Sequence, residues 1–134
     1  MKQKRKKVLC IDSDPAFLRH QEEILEKKDL NDYFFPFKDF RKAVQFIEKE
    51  VISNGQNVHY ILLDEKIPGK KLTDSLEKLS RFKTYLKKPD VIVSTETNND
   101  ELRNVVMQYP FVTTFLVKPM PKNYIEFLIT GKSA

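Results

Sequence analysis

Asp12, Asp64, Thr95 and Lys118 share one feature of placement: each stands at or next to the last residue of a different apolar run. If those runs are parallel strands of one sheet, their carboxyl ends lie along a single edge, where ligands of α/β proteins bind. Two carboxylates, a hydroxyl and an ammonium gathered there suit phosphoryl transfer. A carboxylate attacks phosphorus once the charges on both partners are neutralised. Mg²⁺ does this with one or two carboxylates, the phosphate itself and retained waters. A lysine holds one phosphoryl oxygen as a point charge, and a hydroxyl bonds another. Asp64 follows the most apolar run, Val58–Leu63, which belongs at the sheet centre, and is the better nucleophile; Asp12 is the better metal ligand.

The elements that must position these groups alternate between strand-length apolar runs and helical spacing, five times over. Val8–Ile11 reads as a buried central strand. Asp14-Pro15 then caps a helix carrying Phe17, Leu18, Gln21, Ile24 and Leu25 to about Lys28. Residues 33–37 form a second strand that Pro36 confines to a sheet edge. Phe40, Ala43, Val44, Ile47 and Val51 mark a helix ending before Asn54-Gly55. Val58–Leu63 is the third strand. Leu72, Leu76, Leu79, Phe82, Tyr85 and Leu86 mark the next helix. Val91–Ser94 is the fourth strand, and Asn98 or Asn99 caps a helix carrying Leu102, Val105, Val106 and Tyr109. Phe111–Val117 is the fifth strand, before Lys118-Pro119, and a final helix runs from about Lys122 to Ile129 with Gly131 as C-cap. Such alternation predicts an α/β fold, a single doubly wound domain with helices on both faces of a parallel sheet.

The 134 residues fit one domain over residues 8–131, behind a basic leader at 1–7 expected to be frayed. Lys2, Lys4, Arg5, Lys6 and Lys7 supply five of the 24 basic groups, so the remaining 19 balance the 19 acids and the net charge of +5 belongs to the leader. That distribution argues against a nucleic-acid domain. One cysteine, Cys10, excludes an internal disulfide; with His20 and His59, read as structural or solvent-facing, it cannot build a zinc cage. Three scattered glycines exclude the glycine-rich nucleotide loops. No apolar run is long enough to span a membrane and no signal-peptide core follows the leader, so a cytoplasmic location is expected.

Four stretches in this order and register resemble the receiver domain of two-component response regulators over residues 7–129. They are Val8–Pro15, Ile61–Gly69, Val91–Thr95 and Phe115–Pro119. The resemblance implies a flavodoxin-like (βα)5 domain with strand order 2-1-3-4-5. It implies that Asp64 accepts a phosphoryl group from a phosphohistidine on a histidine kinase or phosphotransfer protein. Asp12, Asp64 and the backbone carbonyl of Lys66 would hold Mg²⁺, with Ser13 as a further possible ligand. Thr95 and Lys118 would contact the phosphoryl group, and Phe115 would take the switch-aromatic position. The output would be a repacked surface on the last two helices and fifth strand, where a downstream protein partner or a second copy of the chain would dock.

The chain departs from that pattern in places. Ser13 replaces the second of two adjacent acids, lowering the negative charge around a metal. Leu72 stands where a glycine is usual, after Lys70 and Lys71, and Glu96 where a small residue is usual. Ser13 and Glu96 support an alternative, a pseudo-receiver that docks partners unphosphorylated. A magnesium-dependent phosphohydrolase would carry a second acid where Lys66 stands, so a turnover enzyme is not expected.

Overall fold

The computed structural model describes residues 5–82 and 89–132. Five parallel strands form one sheet in the order β2-β1-β3-β4-β5. They are β1 (Val8–Ile11), β2 (Phe34–Phe37), β3 (Tyr60–Asp64), β4 (Asp90–Thr95) and β5 (Val112–Val117). Between and after them run α1 (Pro15–Glu26), α2 (Phe40–Phe46), α3 (Leu72–Ser80), α4 (Asp100–Val106) and α5 (Tyr124–Thr130). The expected doubly wound α/β fold is therefore the observed one. Pro36 lies on the edge strand β2, opposite Cys10, where its missing N–H costs no ladder bond.

The local signals act as their chemistry requires. Asp14 Oδ1 accepts from the N–H groups of Ala16 and Phe17, with Pro15 at the first helical position. Of the two candidate caps before α4, Asn99 is the one used, accepting from Leu102 N–H at 3.0 Å. Gly131 ends α5 at φ 73°, the left-handed region that suits glycine. Two details differ from the expected helices. The helix after β2 continues beyond α2 as a wider π turn, Ile47–Ser53, in which Ile47 and Val51 are both buried. The final helix begins at Tyr124 rather than Lys122, since Asn123 is held at φ 62°. Tyr85 and Leu86, expected to continue α3, lie outside the described residues.

The sheet separates two apolar layers. On one face Leu9, Ile11, Ile61, Leu63, Val91 and Val93 meet α2, α3 and α4. On the other Val8, Cys10, Leu62 and Ile92 meet α1 and α5. β1, β3 and β4 are buried on both faces, as parallel central strands must be. The end of the leader is part of this body: Lys6 N–H donates to Ile129 O, and Lys7 exchanges bonds with His59, its N–H donating to Nδ1 at 3.0 Å. No helix among the described residues is long and apolar enough to cross a membrane.

Candidate functional site

Because all five strands run the same way, the carboxyl ends of β1, β3, β4 and β5 form one rim. Asp64 closes β3, Asp12 follows β1, Thr95 closes β4, and Lys118 follows β5. Asp12, Asp64 and Thr95 are all buried. The Lys118 ammonium lies between the two carboxylates, 3.2 Å from Asp12 Oδ2 and 3.0 Å from Asp64 Oδ1. The chain thus joins three of the predicted residues across 106 positions of sequence. Backbone bonds fix their bases. Asp12 N–H donates to Phe37 O, Lys118 N–H donates to Thr95 O at 2.7 Å, and Glu65 N–H donates to Ser94 O. Asp12 Oδ1 also accepts from Asp14 N–H at 3.0 Å.

One cation shared by two carboxylates leaves a net negative, poorly solvated cluster. Burial pushes the Asp64 carboxyl above the ordinary carboxylate range, and the neighbouring Asp12 charge adds to this, while Lys118 opposes it. Burial would lower Lys118, but its bonds to Asp64 and the charges of both aspartates outweigh that and hold the ammonium above its usual value. The lysine therefore stays charged across the physiological range, and Asp64 is the group left short of a partner. Burial also drives the Cys10 thiol strongly upward, which makes it an inert part of the core.

The other expected residues are at the rim but engaged elsewhere. The Thr95 hydroxyl donates to the Glu65 carboxylate and accepts from Thr97 N–H at 3.3 Å. Ser13 Oγ donates to the Lys66 carbonyl at 2.9 Å, putting two of the expected metal ligands in contact with each other. Exposed Lys66 and Glu96 pair at 2.8 Å across the mouth, which raises the lysine and lowers the glutamate from their ordinary values through that bond. Phe115 is half-buried in β5, in register with Val93 and packed on the larger core layer. The role of Glu65 is missed by sequence reasoning; its only signal is an acid next to Asp64, at the end of the strand that neighbours β4.

Asp12, Asp64 and the Lys66 carbonyl are hard oxygen donors, the set that Mg²⁺ takes together with phosphate and waters. The Lys66 carbonyl keeps a second lone pair beside its bond from Ser13. The residues present fit that ion.

No protein-family model matches the chain, and no curated protein matches it by sequence. Solved structures do match by shape. A two-component response regulator from Cytophaga hutchinsonii aligns with a TM-score of 0.76 at 16% identity, over 94% of this chain and 95% of that one. A phosphorylated cyanobacterial phytochrome response regulator aligns at 0.70 and 20% identity, over 96% and 97%. A response regulator from Burkholderia pseudomallei, solved with a phosphorylated aspartic acid, calcium ion and citrate, aligns at 0.69 and 14% identity, over 92% and 66%. The fold of this chain is that of the response regulator receiver domain.

Proposed function

We propose that this receiver-fold chain is a phosphoacceptor switch in which Asp64 takes a phosphoryl group from a donor protein's phosphohistidine. The observation that carries the reading is the Lys118 ammonium held between Asp12 and Asp64 on one rim. A P–O bond forms at an Asp64 oxygen as the donor's P–N bond breaks, and the imidazole leaves with a proton from solvent. Asp64 is suited to attack because burial has stripped its carboxylate of water and a cation already aligns it. Lys118 then pairs with a phosphoryl oxygen. Mg²⁺, when held by Asp12, Asp64 and the Lys66 carbonyl, supplies further neutralisation of the charge that gathers on the transferred oxygens. The presence of a phosphorylated aspartate in the Burkholderia neighbour agrees with this chemistry.

For signalling, Thr95 gives up Glu65 and bonds the new phosphoryl group, and half-buried Phe115 repacks behind it. Val105, Met107, Val117 and Phe127, apolar and exposed, lie on or beside α4, β5 and α5, the surface where a protein partner or second copy would read the change. A groove of about 560 Å³ beside Lys118, between α1 and the segment before α5, offers Phe17, Ile24 and Met120 as a seat for the donor. The donor is a histidine kinase or phosphotransfer protein, which the chain would meet in the cytoplasm.

Incubation with acetyl phosphate and Mg²⁺ tests the reading. The expected result is an intact-mass gain of one phosphoryl group, absent in Asp64→Asn and without Mg²⁺. A second reading, docking without phosphorylation, is favoured by Ser13, whose hydroxyl takes up the Lys66 carbonyl where a further acid would strengthen metal binding. Absence of any adduct at saturating donor would establish that reading instead.

A further inference from the structure

The loop after Asp64 carries Lys70 and Lys71, which the phosphoacceptor reading does not use. Lys70 lines a groove of about 590 Å³ between the start of α2 and this loop. Its floor is apolar, formed by the edges of Phe40, Val44 and Ile67. Its walls carry Lys38, Arg41, Lys70 and Lys78 against two carboxylates, Asp39 and Glu48. Asp39 is already occupied as a cap, its Oδ1 accepting from Arg41 and Lys42 N–H at 2.8 and 3.3 Å. Among the described residues none of the four cations is paired with an acid; Lys70 lies over the Phe40 ring and Lys78 over Phe82. Four cations without a salt-bridge partner, against two carboxylates, leave the groove net positive around an apolar floor, a surface complementary to an anionic, partly apolar chain.

We infer that the groove between α2 and the β3–α3 loop docks an acidic peptide segment of a partner protein, its carboxylates meeting Lys38, Arg41, Lys70 and Lys78 and its apolar side chains facing Phe40 and Ile67. A nucleic acid fits less well. Residues 8–134 carry no net charge with which to follow a phosphate backbone. Rim charges of this kind act mainly through encounter and salt-sensitive affinity. The inference stands whether or not Asp64 is phosphorylated.

The test is a titration of the ¹⁵N-labelled full chain at low salt with a short synthetic peptide of alternating glutamate and leucine. Amide shifts confined to residues 38–48 and 67–78 are expected. The double variant Arg41→Glu/Lys70→Glu should bind roughly tenfold more weakly, a loss of about 1.4 kcal/mol, while Lys27→Glu binds as the parent does. Both substituted side chains are exposed, so the variant's circular dichroism should match the parent's and exclude misfolding. No binding, shifts centred elsewhere, or equal binding of a lysine–leucine peptide would each overturn the proposal. Single-stranded DNA that displaces the peptide with higher affinity would overturn it in favour of a nucleic-acid partner.

Discussion

At the residue scale, Asp64 is where function opposes stability. Its carboxyl is raised by burial and by Asp12, so its charge is less stable folded than unfolded. A group raised in this way contributes stability that is complete below its unfolded value, about 3.9, and is lost as pH rises through the folded one. Asp64→Asn removes the liability while leaving Asp12 and Lys118 to pair with each other. At neutral pH it should stabilise the protein by roughly 1 kcal/mol, the range typical of relieved functional sites. Thermal unfolding followed by circular dichroism would register a rise of a few degrees, and the gain should vanish in acid below the ordinary carboxylate range. A gain that persists there would mean that Asp64 ionisation is not its source. Lys118→Met is the opposite case: it leaves two buried carboxylates facing without a cation and should cost roughly 2–3 kcal/mol. Adding Asp64→Asn to it should recover part of that loss, since the two sites share one interaction. Denaturant midpoints of the single and double variants measure both effects.

At the element scale, the loop after β1 assigns two neighbouring aspartates to different work. Asp12 is buried at the rim, whereas exposed Asp14 spends its side chain on the first turn of α1. Asp14→Ala should therefore cost about 1 kcal/mol of stability and leave Mg²⁺-dependent phosphorylation as in the parent, because the Asp14 N–H that supports Asp12 belongs to the backbone. A lost adduct would instead place the Asp14 carboxylate in the metal shell. This division was legible in sequence because Asp-Pro before an amphipathic stretch is a cap signal, and an aspartate at the end of an apolar run marks a strand end. The edge position of the second strand was equally legible from Pro36. What could not be read were links whose partners depend on how loops turn. Thr95 and Asp64 stand at neighbouring strand ends, but the rotamer that gives the Thr95 hydroxyl to Glu65 is set by packing between two loops. The Lys66–Glu96 pair and the Ser13–Lys66 bond have the same origin. The π turn at Ile47–Ser53 was hidden because its buried residues keep a spacing that an α-helix would also satisfy.

At the scale of the whole molecule, the sheet that makes the rim also makes the two apolar layers interdependent. β1 sends Leu9 and Ile11 to one face and Val8 and Cys10 to the other; β3 likewise divides Ile61 and Leu63 from Leu62. Neither layer can dissolve without exposing strands that the other needs, so the domain should unfold in one step, as single domains of this size do. Leu76 on α3 and Ile125 on α5 are wholly buried on opposite faces of that sheet. Truncating either to alanine should cost about 3 kcal/mol through lost transfer energy and an unfilled cavity. The costs should add in the double variant, because the two sites share no contacts across the sheet. Far-ultraviolet circular dichroism and tyrosine fluorescence should trace coincident urea transitions in all three variants. Separate transitions for the two probes in Ile125→Ala would show that α1 and α5 open apart from the rest. The rim would then lose rigidity on the side of Lys118, whose place between Asp12 and Asp64 depends on the segment leading into α5.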